Sequence, residues 1–111
     1  MGRMDLAFHA LGDPSRRAIV ALLAGRAHTV NELLEHFHFS QPALSKHLRV
    51  LRESGLVVVH SEGRFRRYSL SGRVLGEMTA WLLTYRRFWH KRLDALGDVL
   101  AEEARHARVR R

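Results

Sequence analysis

The chain is 111 residues long and carries 19 Lys plus Arg against 11 Asp plus Glu, a formal charge of +8. That length suits one core and a single domain, 1–111, and a composition 46% hydrophobic and 27% charged is that of a folded protein, not a disordered one. With no cysteine, structural disulfides, iron–sulfur clusters, thiolate-bound zinc and thiol catalysis are excluded. The longest uninterrupted apolar run, residues 18–24, falls far short of a membrane span. Polar and charged residues break up the N-terminus where a secretory signal needs an apolar stretch, so the expectation is a cytoplasmic protein with no membrane partner.

The charge is unevenly spread. Residues 1–44 hold four basic and four acidic groups, whereas residues 45–73 hold seven basic groups against Glu53 and Glu62, a local charge of +5. Residues 74–111 hold eight basic and five acidic groups, a further +3. A basic excess packed into 29 residues attracts polyanions, with nucleic acid the usual one.

In chain order, first helices are expected over 5–28. The stretch 6–11 is apolar and ends at Gly12, and Asp13-Pro14 reads as a helix start, Asp as N-cap and Pro at the first helical position. Apolar Ile19, Leu22 and Leu23 follow, and Gly25 stops the helix. A helix-turn-helix is expected over 29–54. Thr29 with Glu32 three residues on matches a capping box and opens a short helix to about His36. Residues 37–39 form a turn, Ser40 caps the next helix, and that helix runs from Gln41 to about Ser54 with Pro42 tolerated in its first turn. Residues 55–70 read as a wing, with β-rich runs at 56–60 and 65–70 flanking a turn at 61–64. One long helix is expected over 72–104, followed by a charged, frayed tail, 105–111.

On a helical wheel, Leu44, Leu48 and Leu51 of helix 41–54 share one side, and Pro42, Ser45, Lys46 and Arg49 the other. Leucines inward with amide, small and basic side chains outward suit a DNA major groove. Gln41 matches adenine edges, Lys46 and Arg49 match guanine or phosphate, and Ser45 matches either. A solvated amphipathic helix would show the same wheel; the position between a capped short helix and a basic hairpin favours DNA. His47, at the flank of the leucine side, reads as packing or a phosphate contact. Arg64, Arg66 and Arg67 cluster at the hairpin tip, badly placed for a core and well placed for phosphates or a narrow minor groove. On the last helix, Leu75, Met78, Leu82, Tyr85, Trp89 and Leu96 keep a three–four spacing, and Trp81, Phe88 and Ala95 add a second stripe. So much apolar surface at the end of a small domain points to packing against a copy of itself, with folding back onto its own domain the alternative.

The segments LGDPSRRAIVALL, VNELLEHFHFSQPALSKHLRVLRESGLV and EGRFRRYSL together resemble the ArsR/SmtB family of dimeric winged-helix repressors, over residues 6 to about 96. The resemblance implies a mainly α fold with a small β-hairpin, a winged helix-turn-helix, and a bacterial or archaeal homodimer that binds an operator in double-stranded DNA and is commonly released by an inducer. It also implies an interface built from the first and last helices, which adds Leu6 to the residues of the apolar stripe. Segment 88–96, FWHKRLDAL, is similar to the branch without metal-ligating cysteines. The family's metal-binding cysteine pairs are absent, and Phe88-Trp89-His90 lacks the Asp of its other metal site. What remains is His90 with Asp94 and Glu102 with His106, each at i,i+4, which across an antiparallel helix pair could converge on zinc or nickel. Acid–His pairs at that spacing are common on solvated helices, so no metal and no cofactor is expected, and a metal-responsive repressor stays an alternative. An apolar inducer lodged among Trp81, Phe88 and Trp89 is another, though aromatics at helical spacing are more often core.

Three further classes compete with a sequence-specific regulator, one of them a protein-interaction module that uses the winged helix without DNA and would show a flat salt dependence on random duplex. A non-specific, nucleoid-type DNA-binding protein would need only Lys and Arg on helix 41–54, whereas Gln41 and Ser45 suggest base reading. An enzyme would need paired carboxylates, a Gly-rich phosphate loop or a Ser/His/Asp grouping at an interpretable spacing; none occurs, so no catalytic residue is assigned.

Overall fold

The computed structural model describes residues 2–109. Its first helix, α1 (Arg3–Leu11), starts earlier than the apolar pattern suggests, with the Asp5 carboxylate accepting from the Gly2 N–H at 3.3 Å. Helix α2 (Pro14–Gly25) opens at Asp13, whose Oδ1 accepts from the N–H groups of Ser15 (2.8 Å) and Arg16 (3.1 Å), satisfying two of the orphan donors of its first turn. The same turn closes α1: Arg16 donates to the carbonyls of Ala10 and His9, and Arg17 to that of Leu11. Two arginines counted above only as charge therefore cap a helix C-terminus.

After α2 the chain forms a two-residue strand, β1 (His28–Thr29), then α3 (Val30–His36) and α4 (Gln41–Glu53). The Thr29–Glu32 capping box forms in both directions, each bond 3.2 Å, and the Ser40 hydroxyl accepts from Ala43 N–H at 3.2 Å. A hairpin follows, β2 (Val57–Glu62) and β3 (Phe65–Leu70). The strand order is β1-β3-β2, antiparallel throughout, so β1 converts the expected hairpin into a three-stranded sheet. Two residues are too few to carry an alternation signal, and β1 is therefore invisible to sequence patterning.

The expected single helix over 72–104 is two helices, α5 (Gly72–Leu83) and α6 (Arg86–Val109). The α-ladder is lost at Thr84 and Tyr85, whose N–H groups donate to the carbonyls of Trp81 and Leu82, three residues back. The Thr84 hydroxyl also donates to the Trp81 carbonyl at 2.7 Å, a local bond that competes with the helix. The apolar spacing runs on across this break, and so it conceals it. Helix α6 also continues past 104, through residues 105–109 of the expected frayed tail; residues 110 and 111 lie outside the described residues.

The chain packs as two compact units, one up to Met78 and one from Thr79. The first holds the core. Ala7 and Ala10 of α1, Ile19 and Leu23 of α2 and Leu33 of α3 pack with Leu44, Leu48 and Leu51 of α4. Leu56, Val57 and Tyr68 close it from the wing, and Val74 and Met78 from α5. In the second unit the helical residues 79–107 are all exposed.

Candidate nucleic-acid interface

Helix α4 is anchored by its buried leucines at 44, 48 and 51, and this leaves Gln41, Pro42, Ser45, Lys46 and Arg49 all exposed on the other side. The turn that aims it is aromatic: Phe37 stacks on Phe39 with ring centroids 5.1 Å apart, and Phe39 meets the His47 ring at 5.4 Å. His47 is thus a packing residue at the flank of the leucine side, and its Nδ1 is buried without a hydrogen-bond partner.

The wing turns through Gly63-Arg64, with Glu62 paired to Phe65. Gly63 takes φ +59° and Arg64 a negative φ, the pattern of a II′ two-residue hairpin, which favours glycine first. The turn is tighter than the four residues expected because Ser61 and Glu62 still pair in β2. Arg64 and Arg66 are exposed, and neither makes an ion pair among the described residues. Arg67 differs. Its Nε donates to Glu62 at 2.8 Å and its guanidinium reaches Glu32 of α3 at 3.4 Å. Glu32 is held well below its ordinary 4.5, to about 2, chiefly by the hydrogen bond from Arg26 and then by the Thr29 N–H. Hydrogen bonds from the Arg16 and Ser15 N–H groups also lower Asp13, against a smaller opposing effect of burial.

A depression of about 240 Å³ brings helix and wing together, lined by Thr29, Val30 and Asn31, by Gln41 and Ser45 of α4, and by Arg64, Phe65 and Arg66 of the wing. Four of the expected DNA-binding residues meet here. Pro42 and Lys46 lie on the exposed side of α4 outside it, and Arg49 lines a separate depression with Arg52, Glu53 and residues 57–59 of β2. Sequence reasoning missed Asn31 and Phe65, whose neighbours come from distant parts of the chain, and saw Glu32 only as a cap.

Of the expected dimer residues, Met78 needs correction: it is 5% exposed and is packed in the buried core of its own unit with Val74 of the same helix. Leu6 and Leu75 are half-buried. Leu82, Tyr85, Trp89 and Leu96 are exposed, alongside Trp81, Leu83, Phe88, Leu93, Val99 and Leu100, each between 42 and 59%. Along α6, His90 Nε2 lies 3.3 Å from an Asp94 carboxylate oxygen and His106 Nε2 3.3 Å from one of Glu102. Among the described residues no group of three or more His, Cys, Asp or Glu comes together.

A capped short helix, a tight turn, a second helix with a polar outer side and a basic hairpin beside it define a winged helix-turn-helix DNA-binding protein. The profile of the family "Bacterial regulatory protein, arsR family" matches residues 13–59. The chain is 38% identical over 82 residues to the transcriptional repressor SdpR of Bacillus subtilis (strain 168), covering 74% of this chain and 91% of SdpR. It is 36% identical over 99 residues to the HTH-type transcriptional regulator Rv2034 of Mycobacterium tuberculosis, covering 89% of this chain and 90% of that protein. Its structure is similar to that of an ArsR-like transcriptional regulator from Rhodococcus sp. RHA1, with a TM-score of 0.70 and 29% identity over 87% of this chain and 92% of that one. The chain belongs to the arsR family of bacterial regulatory proteins. It is a DNA-binding transcriptional regulator and not an enzyme, and no helix among its described residues is long and apolar enough to cross a membrane.

Proposed function

We propose that the chain is a cytoplasmic homodimeric repressor that reads a palindromic operator through α4 and grips the backbone through its wing. The observation that supports this reading is the depression shared by Gln41, Ser45, Arg64 and Arg66, where amide, hydroxyl and guanidinium groups suited to base edges and phosphates line one concave surface. Gln41 and Ser45 read base edges, Lys46 and Arg49 extend the contact along α4, and Arg64 and Arg66 bind phosphates or enter the minor groove. Arg67 ties β3 to β2 through Glu62 and braces the wing against α3 through Glu32. Two such surfaces in a two-fold dimer would engage half-sites about 34–36 Å apart, and the exposed apolar side chains at 81–100 supply the surface for that dimer.

The test is selection of bound fragments from random duplex, with titration of the selected and scrambled sequences at several salt concentrations. The expected result is a palindrome bound at least about 10³-fold more tightly than scrambled DNA. Equal affinity for both would instead identify a nucleoid-type protein.

A further inference from the structure

The wing presents a large apolar ring where only charge was expected. Phe65 is the first residue after the hairpin turn and is 58% exposed, outside the core and outside the apolar residues packed around it. A single exposed aromatic needs no explanation in general, but the surroundings of this one are specific. Glu62 pairs with it across the strands, and Arg67 lies two residues along the same strand. These two neighbours are bonded to each other at 2.8 Å and are thereby neutralised. The cations adjacent to it in sequence, Arg64 and Arg66, are the ones left without an ion pair among the described residues. The turn and the pairing to Glu62 fix the backbone of Phe65, and the residue lines the same depression as Gln41 and Ser45.

Arg64, Phe65 and Arg66 line one depression, so a duplex drawn to the arginines meets the ring as well. The phosphate walls of a duplex attract the guanidinium groups, and between those walls lie deoxyribose edges and base steps, apolar surface that other proteins engage with Phe or Leu wedges beside arginine in the minor groove. We propose that Phe65 is a DNA-contacting residue of a different kind from its neighbours: an apolar contact laid against the sugar edges of the minor groove, independent of counterion release. This deepens the reading given under Proposed function and rests on it.

The experiment uses the full chain and a fluorescent duplex, with affinity measured across a salt series for the wild type, Phe65→Ala, Phe65→Leu and Arg64→Ala. Phe65→Ala is expected to weaken binding roughly tenfold at every salt concentration with the log–log slope unchanged, and Phe65→Leu to keep most of the affinity. Arg64→Ala is expected to reduce the slope by about one unit. A photoreactive benzophenone analogue of phenylalanine at position 65 is expected to crosslink to the DNA strand. The proposal is overturned if Phe65→Ala binds like the wild type, if it changes the slope as Arg64→Ala does, or if the crosslink forms to a second copy of the protein. A wild-type chain that binds no duplex overturns the DNA reading and this contact together, whereas failure at Phe65 alone leaves wild-type binding intact.

Discussion

At Gly55 the backbone takes φ +82°, and a Cβ built there would lie 3.0 Å from Cγ2 of the buried Val74. Conformation and space both demand glycine at the point where α4 gives way to the wing. Gly55→Ala should therefore destabilise the fold by about 1–2 kcal/mol, read as a lower midpoint in urea. Glu32 is a second such residue. Its carboxyl titrates near 2 when folded against an ordinary 4.5, so the unfolded chain binds its proton first as the pH falls. The stabilisation is complete above about pH 5 and disappears as pH drops toward 2. In thermal melts over that range, Glu32→Gln should flatten the acid-side fall of Tm; an unchanged slope would place the dependence elsewhere, with Asp13 the next candidate.

At the scale of the element, the two parts of the reading surface should fail differently. Gln41→Ala should cost about 1–3 kcal/mol on the preferred duplex, relax the choice at one base pair and leave random DNA unaffected, all measurable by anisotropy on a panel of single-base variants. Arg67→Ala should lower Tm by a few degrees, because it releases the wing from α3, and should change the salt slope less than Arg64→Ala does. Helix caps were the most legible part of the fold, because Asp13-Pro14, Thr29 with Glu32, and Ser40 each carry their function in the residue type and its local spacing. The leucine side of α4 was equally legible, since a 3.6-residue period needs no tertiary information. What local sequence does not carry depends on distance in the chain. Strand β1 exists because His28 and Thr29 pair with Tyr68 and Arg67 some 40 residues away, and Arg67 looked free for DNA because its partner Glu32 lies 35 residues earlier.

For the whole molecule, the apolar side chains of 81–100 set the expectation of a dimer. Trp89→Glu should give a monomer by light scattering and abolish tight operator binding, because each monomer would then hold one half-site. A dimer that persists would move the interface elsewhere. The break between α5 and α6 was hidden in the sequence for the reason given by Thr84: the hydroxyl that reaches back to Trp81 is a single bond, and the apolar period passes over it.

The contact from Arg67 to Glu32 also bears on how the proposed two-part surface would gauge a duplex. It acts like the locking screw of a caliper, with α3 and α4 as one jaw and the hairpin as the other. A caliper set in advance gives up little freedom on closing, so recognition gains affinity from its stiffness. The same stiffness makes it intolerant: under the proposed reading, a base pair inserted between the points met by helix and hairpin should leave only one of the two contacts.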